Sequence, residues 1–154
     1  MNGREGDVLF VNDEVMPELS NRSGEVQRRR IVNASGARIY RLALEGHTFT
    51  HIGSDGGLFE HPKEVDEIIL SNGEWAELLA HGIGEPGSNV TLQDLPYDRY
   101  MPMWQSSNWD ETNNLLTLRY TDDSSLEETF EVPETLRKIP ELNIIDYFSR
   151  LYAG

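Results

Sequence analysis

The side chains best equipped for chemistry in this sequence are four histidines, His47, His51, His61 and His81, and two methionines, Met101 and Met103, which flank Pro102 beside Trp104. On a helix, the H-x-x-x-H spacing of His47 and His51 would set both rings on one face, a chelating arrangement. The segment reads instead as a strand. Four residues along a strand span about 13 Å at ~3.3 Å per residue, too far for two imidazoles to share an ion bound at ~2 Å. The pair is not expected to chelate a metal alone. His61 and His81 add ligands only if the fold gathers them, and the sequence has no H-x-H pair. Thioethers bind soft Cu(I), yet methionines packed among Trp and Pro read as core filling.

Other reactive types are absent or poorly placed. With no cysteine, disulfides, thiolate nucleophiles, Cys-ligated zinc, iron–sulfur clusters and thiolate-bound copper are excluded. No G-x-S-x-G elbow surrounds Ser54, Ser106 or Ser107. Glu127 and Glu128 are adjacent and point to opposite faces of an extended chain, which does not make a glycosidase pair. Asp55-Gly56-Gly57 lacks the lysine and following helix of a phosphate loop and reads as a turn. Three formal glycosylation sequons begin at Asn21, Asn33 and Asn89; with no leader segment ahead of them they are read as chance.

The elements that must position these residues are strands. The chain has 154 residues, a length suited to one domain. Its 27 acidic and 13 basic side chains give a net charge of −14. That charge opposes binding to nucleic acid or anionic lipid, both of which need clustered Lys and Arg. There is no apolar run of membrane-spanning length, and the first seven residues, Met1 to Asp7, lack an apolar signal region. Residues 7–131 alternate short apolar runs with turn residues, the pattern of an all-β sandwich or barrel. About nine strands are expected, among them 8–11, 39–44, 48–53, 64–70, 74–80, 89–92, 115–120 and 126–132. Residues 94–114 read as the longest irregular stretch. Leu142, Ile145, Phe148 and Leu151 recur at three-residue steps, as in a short amphipathic helix. Residues 22–41 carry six Arg against one Glu, and 108–134 carry eight acids against Arg119, blocks able to face each other.

Four segments in order carry a family resemblance: Gly6-Asp7-Val8-Leu9-Phe10-Val11-Asn12; RRRIVNASGAR over residues 28–38; Ile52-Gly53-Ser54-Asp55-Gly56-Gly57-Leu58; and Asn72-Gly73-Glu74-Trp75-Ala76-Glu77. At these spacings they resemble the middle cupredoxin domain of three-domain multicopper oxidases of the laccase and bilirubin oxidase type. The resemblance covers residues 6–132 and implies a Greek-key β-sandwich over 1–132, with 133–154 an interdomain linker or C-terminal tail. Val132-Pro133-Glu134-Thr135-Leu136 resembles the family's exit from this domain.

In that family, four H-x-H pairs and a His, Cys, His set hold the copper, all in the first and third domains. The resemblance therefore implies no catalytic, cofactor-binding or metal-ligating residue in this chain, with copper confined to the parent enzyme. That enzyme oxidises phenols or metal ions, reduces O2 to water, and is often periplasmic or secreted. The implied partners are its first and third domains, and the surfaces that meet them should favour self-association when exposed. The alternative is a stand-alone, non-catalytic β-sandwich that binds or assembles other proteins. One departure stands out: Gln27 and Arg29 share strand parity with Ile31, the side normally buried, where an unpaired Arg is costly. Either a bulge shifts the strand, or that face lies at an interface.

Overall fold

The computed structural model describes residues 6–98, 111–123, 125–126 and 130–140. Nine strands form among them: β1 (Glu18–Asn21), β2 (Val26–Val32), β3 (Tyr40–Leu44), β4 (Phe49–Ser54), β5 (Gly57–Val65), β6 (Glu67–Leu70), β7 (Trp75–His81), β8 (Asn89–Asp94) and β9 (Asn113–Tyr120). They make two sheets, ordered β1-β9-β8-β3-β6 and β2-β7-β4-β5. All pairings are antiparallel except β1 with β9. This is the expected all-β sandwich.

Period-two alternation places the core. Ala76, Leu78 and Ala80 of β7 face Leu42, Leu44, Phe49, Leu70, Leu92, Leu116 and Leu118 between the sheets. The chain changes sheet at Asp66, where β5 leaves β4 and β6 joins β3. A single strand over 64–70 is thereby corrected to two. A charged residue at the corner lets the backbone bend where neither sheet needs an apolar side chain.

The expected strand at 8–11 does not form. Only an isolated bridge, Val11 to Glu14, is present. Asn12 and Asp13 adopt positive φ between its ends, a left-handed turn those two residue types tolerate. Leu9 and Val11 lean on the core while Val8 and Phe10 stand exposed, so the alternation is real but the segment has no sheet to join. Nor are the described residues of 126–132 a strand. Leu126 N–H donates to the Ser23 carbonyl, and further on Leu136 N–H donates to that of Glu60, carrying 130–140 along β5. Most of the stretch 94–114, with Met101, Met103 and Trp104, lies outside the described residues, as do Leu142, Ile145, Phe148 and Leu151.

β2 pairs with β7 in unbroken register from Val26 opposite His81 to Val32 opposite Trp75. No bulge rescues Arg29. Gln27, Arg29 and Ile31 point inward and are half-buried, while Arg28, Arg30 and Val32 point out.

Candidate functional site

The four histidines do not converge. His47 lies in the turn before β4 rather than on a strand, because its ring inserts into the core. Its Nδ1–H donates to the Glu45 carbonyl at 2.7 Å, leaving Nε2 to accept the Tyr120 hydroxyl at 2.6 Å. His51 Nε2–H donates to the Gly53 carbonyl at 2.9 Å, and its ring meets the edge of Phe59. Burial pushes the His51 pKa down. His61 Nδ1–H donates to the Glu134 carbonyl at 2.8 Å, and His81 Nε2 lies 3.3 Å from Thr50 Oγ1. Among the described residues no three His, Cys, Asp or Glu side chains gather as a metal-binding group.

Charge is organised around β7. Glu77, 4% exposed, lies on the outer face of the four-stranded sheet and takes both Arg28 and Arg30, the latter at 2.7 Å. Burial raises its carboxyl pKa, but the two guanidinium groups outweigh burial and hold it below the ordinary value of 4.5. Asp94 has the reverse balance: burial raises its pKa despite the Arg41 N–H and Arg38. Arg41 pairs with Glu67 at 2.7 Å and Arg119 with Glu18 at 3.5 Å. Arg28, Arg30, Arg38 and Arg41 of the arginine block are thus matched by β6, β7 and β8, and none of these pairs joins the block to the acids of 108–134.

A carboxyl held below its unfolded-state pKa adds stability above that value and loses it as pH falls through the folded one. Glu77→Gln is therefore expected to lower stability by about 1 kcal/mol at pH 7, discounted because both arginines reach solvent. Urea titrations from pH 7 to pH 3 should show the wild type converging on the variant as Glu77 protonates. A gap independent of pH would show that Glu77 acts by packing alone.

The RRRIVNASGAR segment ends in a polar corner. Asn33, 2% exposed, donates through Nδ2 to the Arg38 and Leu70 carbonyls at 2.8 and 2.9 Å. Its Oδ1 accepts from the Ser35 N–H and hydroxyl. Asn72 Nδ2 donates to the Ser35 and Arg38 carbonyls, and Gly73 N–H donates to the Asn33 carbonyl, with φ at +81°. Both ends of the Asn33 amide are thus engaged and buried.

The order of these segments on a two-sheet sandwich is matched by a family model, multicopper oxidase, over residues 1–122. The chain belongs to the multicopper oxidase family. Multicopper oxidase mco of Staphylococcus haemolyticus is 32% identical over 114 residues, 73% of this chain and 25% of that protein. Cell division protein FtsP of Proteus mirabilis is 37% identical over 136 residues, 85% of this chain and 28% of that one. Among solved structures, a variant of the McoA multicopper oxidase of Aquifex aeolicus superposes with a TM-score of 0.81 at 29% identity, over 93% of this chain and 31% of that one. The chain spans about a quarter to a third of the length of these relatives. In this chain the Asn33 corner holds turns and strands together, and Glu77 ties β7 to β2.

Proposed function

We propose that this chain is the middle, spacer domain of a laccase-like oxidase, one that oxidises phenols or metal ions and reduces O2 to water on copper held by flanking first and third domains. The observation that carries the reading is the donor set. The sequence has no cysteine, and each histidine has a different hydrogen-bond partner, with none bonded to another histidine. Such donors do not fit the family's copper centres, which need several converging imidazoles at ~2.0 Å, joined at the mononuclear site by a thiolate. The domain's work is then mechanical: two cross-braced sheets keep its neighbours in register.

The test is copper per chain after Cu(II) loading and removal of loosely held ions. A value near zero is expected. A reproducible value near one would overturn the spacer reading and make His-to-Ala changes at positions 47, 51, 61 and 81 the next experiment. The match to a protein named for cell division favours a second reading, an assembly module without redox chemistry. A reading frame holding this domain alone, away from oxidase genes, would support it.

A further inference from the structure

The two sheets do not close on each other along the edge formed by β1 and β2. A cavity of about 750 Å³ lies there, between the inner faces of both sheets and the arm at residues 6–13. Its walls are mostly apolar, with Leu44, Phe49 and Leu92 among them, but Asp13 and Arg38 also line it, and β2 contributes Ile31 and Arg29. The sequence explains the gap. A β2 strand carrying Gln27 and Arg29 on its inner parity does not supply the aliphatic side chains that would fill it.

Arg29 is the unusual wall residue. Arg28 and Arg30 share Glu77, and Arg41 has Glu67. Arg29 Nη2 is buried without a hydrogen-bond partner, and Glu25 and Tyr120 act on the guanidinium only through space. Burial lowers its pKa, the sign of a desolvated cation. A half-buried, unmatched guanidinium beside apolar walls is costly unless an anion joins it, and the volume lies in the ~300–1,000 Å³ range of small-molecule pockets.

We propose that this cavity binds an amphiphilic monocarboxylate, with its alkyl chain between the sheets and its carboxylate on Arg29. A neutral apolar ligand would leave Arg29 Nη2 unmatched, and a multiply charged anion would set its excess charge beside Asp13, since Arg38 is already held by Asp94. Binding of this kind does not rest on the spacer reading, and needs no copper.

The probe is decanoate below its micellar concentration, titrated calorimetrically into the intact chain, with decanol and decyltrimethylammonium as head-group controls. Decanoate is expected to bind more tightly than decanol, and the cationic analogue not at all. Arg29→Met should weaken decanoate at least tenfold while leaving decanol unchanged. Replacing an unmatched buried cation with an apolar chain of similar length is compatible with folding; Arg29→Lys, which keeps the charge, should retain part of the affinity and serves if Arg29→Met does not fold. Ala80→Leu, which fills the cavity from β7, should reduce binding of both uncharged and anionic probes. Absence of decanoate binding, or equal binding of all three head groups unaffected by changes at Arg29, would overturn the proposal.

Discussion

Asn33→Ala is expected to lower the unfolding free energy by about 3 kcal/mol, and Asn33→Asp by more, in urea titrations followed by tryptophan fluorescence. The alanine variant removes two amide N–H bonds and strips the Ser35 N–H and hydroxyl of their acceptor in a site 2% exposed. Leaving a buried polar group unsatisfied costs ~1–3 kcal/mol each, and some of these groups keep other partners, so the sum does not reach the upper bound. Arg38 O, for one, still accepts from Asn72 Nδ2, and the freed Ser35 hydroxyl can turn to it. The aspartate variant is worse because it sets a buried carboxylate oxygen against two carbonyls and has no N–H to give them. The consequence is global, since Asn33 joins the β2–β3 loop to the end of β6, and its backbone bonds the β6–β7 turn through Glu74 and Gly73. Ala34→Ser next door, exposed, should change stability by no more than ~0.5 kcal/mol. A similarly small effect at Asn33 would mean that the corner does not hold the two sheets together.

The strands at 39–44, 89–92 and 115–120 were legible because alternation survives where a sheet lies behind one face, and those at 48–53 and 74–80, buried on both faces, were legible from short β-rich or apolar runs bounded by turn residues. Residues 8–11 carry the same alternation without a neighbouring edge, so local pattern overstated what the topology offered. The change of sheet at Asp66 shows in the sequence only as a slip of parity between Val65 and Ile68, too slight to divide the run 64–70. β1 is missed for a related reason: Glu18-Leu19-Ser20-Asn21 is polar and short, and is held by its parallel pairing with β9.

The chemistry was legible in a different way. Strand spacing set His47 apart from His51, but it placed His47 on a strand where the structure has a turn, and it gave no sign of its partner Tyr120, 73 residues away. No local motif reports such a pair. Arg29 was visible as an anomaly of parity, and the unbroken β2–β7 register turns that anomaly into a charged wall inside the sandwich. Glu77 gave no signal, being one carboxylate among many until β2 brings Arg28 and Arg30 beside it.

Tyr120 is the fulcrum of the second large effect. Gly84→Ala is expected to destabilise the fold by about 3 kcal/mol, which for a chain of this size is a fall in Tm of roughly 6–12 °C. A Cβ on Gly84 would overlap the Tyr120 ring, with Cζ at 2.6 Å and two other ring carbons closer still. The ring has no room to yield. It is fully buried, its hydroxyl is tied to His47 Nε2, and its backbone is bonded at both ends, to Ser88 and Gly87 of the same returning loop. Relief must come from the backbone of 82–88 instead, which would pull on the β7–β8 connection and on β1 through Thr121 and Asn21. Tyr120→Leu removes the ring and is costly itself, but Gly84→Ala in that background should cost less than about 1 kcal/mol. That non-additivity of about 2 kcal/mol is the signature of a shared steric contact. Additive losses would show that Gly84 acts through its own backbone, and the Tyr120–His47 pair would then have slack that its burial and 2.6 Å contact do not suggest.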